Sequence, residues 1–417
     1  MATHVVIVGG GFAGITAAKN LSSQDFKVTI VDKSNHHLFQ PLLYQVATAA
    51  LSPGDIAVPI RSVFSNQKNV NVVLGRVVSI SKKDRVIRLA DGDMISFDYL
   101  IVATGAKYNY FGNDDWEKNA PGLKSVNDAI RIRERILLSL EEADKIPDVE
   151  ARKKYLTFVV IGAGPTGVEM AGSIAEIAKR NMMRDYRNFH KNETTVHLVE
   201  AAGTVLNGYP ESLSDSALNT LTKMGVQVIL NSPVEKITGE GVQLKNHFIE
   251  TPNVIWAAGV GGTSLLDELK DEEKDRSGRV KVNRDMSISS DANIFVLGDA
   301  AHFEGKDGKP LPGVAQPAIQ QGKFVAKLIK NDLKSMPRGE FKYNDKGMMA
   351  TIGRAKAVAD IKGIKLTGIL AWMLWGVIHI FFLIGFRNRF RVFAEWVWHY
   401  ITFKRGVRLI TKKDDSD

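Results

Sequence analysis

Cysteine is absent from all 417 residues. That excludes disulfide exchange, thiolate metal sites and cysteine nucleophiles as the chemistry of this chain. Metal ligation has little else to work with: no cluster of histidines and carboxylates has ligand spacing, and the adjacent pair His36-His37 reads as a loop feature. The first residues, MATHVVIVGGG, run straight into an apolar strand and leave no room for a signal peptide, so the body of the protein is expected in the cytoplasm. Acid is the scarcer charge, 46 Asp and Glu against 55 Lys and Arg, which leaves a net charge of +9. An excess of that sign favours an anionic partner, whether lipid, nucleic acid or a dinucleotide. The length is too great for one core and suits two or three domains.

What the chain does have is a glycine fingerprint, twice. Gly9-x-Gly11-x-x-Gly14 recurs as Gly162-x-Gly164-x-x-Gly167, each directly after a short apolar strand. The first glycine permits the tight turn, the second lets the backbone approach a pyrophosphate, and the third lets helix and strand pack closely. The pyrophosphate then lies on a helix N-terminus, where free N–H groups and the dipole favour negative charge. Each copy is followed by an acid suited to an adenosine ribose: KVTIVDK ends at Asp32, 18 residues beyond Gly14, and VHLVE ends at Glu200, 33 residues beyond Gly167. The longer interval requires more than one helix, with NMMRDYRNFHKNET supplying the extra length. Ala201 and Ala202 follow Glu200 with no nearby Arg or Lys to neutralise a 2′-phosphate, so NADH is favoured over NADPH. Two nucleotides on one chain point to electron transfer.

The repeat extends past the glycines. FDYLIVATGA closes the first unit with a strand ending at Ala103-Thr104-Gly105 beneath the cofactor, and VIWAAGVGG closes the second with Ala258-Gly259 in the matching place. Residues 70 to 98 read as short strands with turns at Asp84 and Asp91-Gly92, and residues 125 to 145 as a helix. DANIFVLGDAA adds an apolar strand before the helix QPAIQQGKFVAKLIKND. The fold class is therefore α/β: two Rossmann-like dinucleotide-binding domains, one inserted in the other, plus a C-terminal helical membrane-association segment. The first domain is expected over residues 1–125 and 280–340, the second over 155–279, and the C-terminal region over 341–417.

From Leu366 to Phe386 run 21 residues without Lys, Arg, Asp or Glu, enough by count to cross a bilayer. Both flanks are basic, with Arg354, Lys356, Lys362 and Lys365 before the run and Arg387, Arg389, Arg391, Lys404, Arg405 and Arg408 after it. Two basic flanks drawn to the cytoplasmic side mean a segment that dips into the leaflet instead of spanning it. The following FRVFAEWVWHYITF sets Phe393, Trp396, Val397 and Tyr400 on one helical stripe, with Arg391, Glu395 and Thr402 opposite. Arginines interleaved with Trp and Phe favour anionic membrane lipid of the inner leaflet over nucleic acid.

HHLFQPLLYQVAT (36–48), LSPGDIAVPIR (51–61), ATGA (103–106), IGAGPTGVEMAG (161–172), VLGDAA (296–301) and AQPAIQQG (315–322) together resemble the type II NADH dehydrogenases, single-subunit flavoproteins that reduce membrane quinone. The resemblance implies FAD at the first glycine set and NADH at the second, with hydride passed from NADH to FAD and two electrons passed on to quinone, without proton pumping. It extends the FAD contacts to Phe12, Ala13, Lys33, the main chain of Val77, Gly298, Asp299 against the ribityl chain, Ala315 and Gln316, and the NADH contacts to Thr166 and Glu169. Gln316 and Gln320 are four apart and so share a helical face; the resemblance sets them beside the flavin on the quinone side, where a neutral amide can donate to a carbonyl. Glu169, expected in the first turn of the second nucleotide helix, reaches in relatives toward nicotinamide and flavin, which implies a role in positioning NADH or relaying protons. A homodimer stays open. So does a soluble NAD(P)H oxidase or ferredoxin reductase of the same fold, which would show no preference for lipid.

Overall fold

The computed structural model describes residues 2–178, 185–306, 308–402 and 405–410. The helices used below are α1 (Phe12–Asn20), α2 (Leu43–Ala47), α3 (Val126–Lys145), α4 (Pro165–Glu176), α5 (Ala315–Asp332), α6 (Gly368–Phe382) and α7 (Phe386–Thr402). The chain forms two compact units: Met1–Leu38 with Ala57–Asn109 and Val260–Asp345, and Phe39–Ile56 with Tyr110–Gly259 and Lys346–Asp417.

The first unit is built on six strands in the order 287–288, 291–296, 99–102, 3–8, 26–32, 70–74. Only the first pair is antiparallel; Val5 lies opposite Val28 on one side and Tyr99 on the other. Val5, Val6 and Ile7 are fully buried. A parallel sheet covered on both faces explains why these strands read as unbroken apolar runs and not as alternating patterns. Strands 77–81, 86–89 and 94–96 form a separate antiparallel sheet whose turns fall where the sequence predicts them. The chain rejoins this unit at Val260, earlier than the expected residue 280, because strand 260–262 pairs antiparallel with 106–108.

The second unit has four parallel strands in the order 226–229, 195–199, 157–161, 253–256. Helix α3 starts where the sequence predicts it because Ser125 and Asp128 form a capping box: the Ser125 hydroxyl accepts the Asp128 N–H at 3.2 Å, and the Asp128 carboxylate accepts the Ser125 N–H at 2.8 Å. Ile132, Ile136 and Leu140 then line its buried face. Between α4 and strand 195–199 a short 3-10 turn at Lys191–Glu193 is described; residues 179–184, where the sequence predicts part of a second helix, lie outside the described residues.

The C-terminal region opens with an antiparallel meander of strands 348–353, 356–361 and 364–367, which the charge pattern did not announce. Strand 348–353 lies directly on α4, and Gly172 permits it, since a Cβ there would come within 1.6 Å of the Ile352 carbonyl oxygen. Buried Ala357, Ala359 and Ala371 let α6 lie close on the meander. The uncharged run thus divides into a strand end, a 15-residue helix and a turn. Fifteen residues extend about 22 Å at 1.5 Å each, short of a hydrocarbon core of about 30 Å. No helix among the described residues is long and apolar enough to cross a membrane.

The aromatic stripe expected on α7 divides. Trp396 turns inward and is half-buried, its indole N–H donating to Gln45 Oε1 on α2 at 2.7 Å. Phe393 and Val397 face outward with Phe386, Phe390, Trp398 and Ile401, and α6 exposes Leu370, Met373, Val377 and Phe381. Lys404, one of the expected basic flank residues, lies outside the described residues.

Candidate active site

In the first unit the predicted loop residues gather at the C-terminal ends of strands 3–8, 26–32, 99–102 and 291–296. Gly9 has φ +111°, and a Cβ at Gly14 would come within 1.9 Å of the Gly9 carbonyl oxygen. At Gly11 a Cβ would meet nothing within 4 Å, so the main chain lies open to a ligand. Helix α1 begins there without a side-chain cap, and the N-terminus of a helix favours an anion. Asp32 closes the loop: its carboxylate accepts the N–H groups of Gly10 and Ser34, each at 2.6 Å. Burial pushes the His37 imidazole down to about 4. The ring is therefore neutral, and its Nδ1–H donates to the Gly10 carbonyl at 2.9 Å. The residue read as a loop feature is thus a support of the glycine turn.

The other predicted residues of this unit differ in what they do. Phe12 meets His37 edge-on at 5.1 Å, Ala13 is buried and Lys33 is exposed. Thr104 bonds Thr263 through their hydroxyls at 2.9 Å, and Gly105 has φ +68°. Val77 is buried and opens the hairpin strand after 70–74. Gly298 donates its N–H to Oε1 of buried Gln321 at 2.7 Å, a residue the sequence reading passed over. Asp299 follows it and lies beside the main chain of Gly313. Ala315 and Gln316 open α5, and the Gln316 side chain is half-buried without a protein hydrogen-bond partner among the described residues. Gln320 is engaged at both ends of its amide, with Nε2 donating to the Asn344 carbonyl and Oε1 accepting the Asn344 N–H, each at 2.9 Å. It thereby tethers residue 344.

The second unit repeats the cradle. Gly162 has φ +98°, a Cβ at Gly167 would come within 1.7 Å of the Gly162 carbonyl oxygen, and Gly164 faces open space. Helix α4 starts at Gly164 without a side-chain cap, Pro165 takes the first helical position and Thr166 the second. Glu200 does what Asp32 does: its carboxylate accepts the Ala163 N–H at 2.5 Å and the Ala202 N–H at 2.9 Å. Ala258 packs on Gly162, and Gly259 has φ +75°. Both cradles fit the pyrophosphate and ribose of a dinucleotide.

Glu169 is the fifth residue of α4 and so lies in the second turn, not the first. The helix dipole does not account for it. Burial distinguishes it instead, pushing its carboxyl up to about 8 against the weak opposition of the Thr351 N–H at 3.4 Å. At neutral pH it carries a proton. It lines a cavity of about 70 Å³ within the second unit, partly open to solvent. Trp372 and Trp375 of α6 and Trp396 and Tyr400 of α7 wall the cavity; Tyr44, Thr351 and Arg405 line it as well. Arg405 is buried, bonds Ser173 at 3.2 Å and approaches Glu176 at 3.5 Å. Tyr44 and Gln45 lie in the HHLFQPLLYQVAT stretch and Arg405 in the basic flank, but the sequence did not point to Thr351 or to the meeting of the four, since only folding brings them together.

Residues 3–322 match the family model for pyridine nucleotide-disulphide oxidoreductases, and residues 346–405 match the NDH2 C-terminal domain. The chain is 42% identical to a type II NADH:quinone oxidoreductase of Mycobacterium tuberculosis over 98% of this chain and 90% of that protein. A second such protein of the same organism is 40% identical with the same coverage. Among solved structures, NDH2 from Plasmodium falciparum in complex with NADH aligns with a TM-score of 0.90 at 21% identity, covering 99% of this chain and all of that one, 100%. The sulfide:quinone oxidoreductase of Aquifex aeolicus aligns at 0.75 and 20% identity over 96% of each chain. At such identities the likeness is one of fold.

Proposed function

The chain belongs to the type II NADH:quinone oxidoreductases, and from that premise we propose how its residues divide the reaction. The protein oxidises NADH and reduces quinone with FAD as its cofactor, without pumping protons, as type II enzymes do. Bound FAD supplies the two-electron chemistry that links the nicotinamide to the quinone. Although the fold family is named for disulphides, this chain has 0 cysteines and so no disulfide of its own to take electrons from the flavin.

The cradle of Gly9, Gly11 and Gly14 with Asp32 takes FAD, and Gly298-Asp299 approach its ribityl chain. The cradle of Gly162, Gly164 and Gly167 with Glu200 takes NADH, and the Glu200 carboxylate would repel a 2′-phosphate there. Glu169 holds a proton at neutral pH within the second unit. Gln316, with its amide available, acts in the quinone step. The quinone is received by the cavity walled by Trp372, Trp375, Trp396 and Tyr400, and the observation that carries this reading is its construction: the helices that wall it also expose Leu370, Met373, Val377, Phe390, Trp398 and Ile401.

The enzyme is a peripheral membrane protein. We further assign α6 and α7 to the anionic cytoplasmic leaflet, supported by exposed Phe and Trp beside Arg387 and Arg391. Arg389 is different, because its Nε–H donates to the Leu383 carbonyl at 2.7 Å and holds the turn between the two helices. Replacing Arg387 and Arg391 by Gln is expected to weaken flotation with anionic liposomes by about 1 kcal/mol per charge, while activity with a water-soluble quinone is retained. Binding indifferent to both changes would contradict the lipid assignment.

A further inference from the structure

The hydrogen bonds that lead from Trp396 to Tyr44 have a forced direction. An indole N–H can only donate, so the Trp396 contact at 2.7 Å fixes which end of the Gln45 amide is the oxygen. The Gln45 nitrogen therefore faces Tyr44 and donates to its hydroxyl oxygen at 2.9 Å. The other partner of Tyr44 is the Thr351 hydroxyl at 2.9 Å, where either oxygen can donate; when Tyr44 donates, Thr351 accepts. With Tyr44 donating, Trp396, Gln45, Tyr44 and Thr351 form one chain in which every donor points the same way. The last proton, on Thr351 Oγ1, has no acceptor among the described residues.

Thr351 is 3% exposed and lines the aromatic cavity. A buried hydroxyl left without an acceptor is unfavourable, so the acceptor must come from the cavity. A quinone carbonyl offers lone pairs and no proton, the complement of a fixed donor. Bonds in such a chain polarise one another, which strengthens the terminal one.

We infer that the Thr351 hydroxyl donates a hydrogen bond to a carbonyl oxygen of the quinone, aimed by the chain that begins at Trp396 on α7. The inference rests on the proposed assignment of this cavity to the quinone. It also gives the indole of a membrane-facing helix a part in substrate binding, since Trp396 fixes the Gln45 amide that donates to Tyr44.

The test uses the full-length holoenzyme with ubiquinone-1. Binding is read from quenching of the cavity tryptophans, and steady-state kinetics separate KM from kcat. Thr351→Val, which keeps the shape and the strand preference, is expected to raise both Kd and the quinone KM about tenfold, the scale of one lost hydrogen bond, and to leave flavin reduction by NADH unchanged. Thr351→Ser should restore binding. Tyr44→Phe keeps the Thr351 donor but frees its direction, so a smaller loss, about two- to threefold, is expected. Thr351→Val also strands the Tyr44 hydroxyl, and the double variant Tyr44→Phe with Thr351→Val removes that side effect. The double variant should bind as weakly as Thr351→Val. Recovery of wild-type affinity in the double variant, or wild-type affinity in Thr351→Val itself, would overturn the inference. Ala50→Leu, which fills the cavity, separates the two levels: if it weakens binding while Thr351→Val does not, the donor role fails and the cavity stands. If neither change affects the quinone, the cavity assignment fails.

Discussion

Gly14→Ala is expected to yield protein that folds but purifies without flavin, while Gly167→Ala is expected to keep its flavin and lose its response to NADH. The reason is steric. The added methyl group would lie within 1.9 Å of the Gly9 carbonyl oxygen in one case and 1.7 Å of the Gly162 oxygen in the other, far inside any contact a Cβ tolerates. The main chain must yield by more than about 1 Å, and a displacement of that size in a positioned site costs about 100-fold. Each loop is held by a carboxylate, Asp32 or Glu200, so its N–H groups cannot move independently of the turn. Flavin absorbance of the purified variants and anaerobic NADH titration read the two losses separately, and far-ultraviolet circular dichroism checks the fold. Full flavin content in Gly14→Ala would refute the cradle.

The second large effect concerns Glu169 and pH. A carboxyl whose folded value is near 8, well above the ordinary value of about 4.5 that it regains on unfolding, keeps its proton in the folded protein over a range where the unfolded chain has lost it. The stabilisation is therefore complete below about pH 4.5 and is lost as pH rises toward 8, the reverse of a salt-bridged carboxylate. Glu169→Gln keeps a neutral group of the same shape. Its denaturation midpoint should hold across pH 6 to about 8 where the wild type declines, and the difference between the two profiles isolates this residue from all others that titrate. Turnover of the variant should be slower below pH 8 and should lack the wild-type fall above it, because the amide has no proton to give. Parallel stability profiles for the two proteins would show that the carboxyl is ionised throughout.

Much of this was legible in the sequence because it rests on local chemistry. The apolar strands before Gly9 and Gly162, the acids at Asp32 and Glu200, and the Ser125 start of α3 each need only their neighbours to be read. Glu169 was misplaced by one turn because helix α4 begins at Pro165, and a glycine fingerprint does not by itself fix the first helical residue. The division of Gln316 from Gln320 was hidden: both share a face, but only the fold brings Asn344 to Gln320. Trp396 and Trp398 are two residues apart and look alike as membrane aromatics. One finds Gln45, more than 300 positions earlier in the chain, and turns inward. Tyr44, Thr351 and Arg405 belong to segments with no shared motif, so their meeting is a property of packing alone.

The division of labour between the NADH and quinone steps is tested most directly by anaerobic stopped-flow absorbance of the Gln316→Ala holoenzyme. Flavin bleaching on mixing with NADH is expected at the wild-type rate, and recovery of flavin absorbance on mixing the reduced enzyme with quinone is expected to slow about tenfold, the scale of one hydrogen bond made in the transition state. Slow bleaching by NADH followed by recovery at the wild-type rate would contradict the assignment of Gln316 to the quinone step.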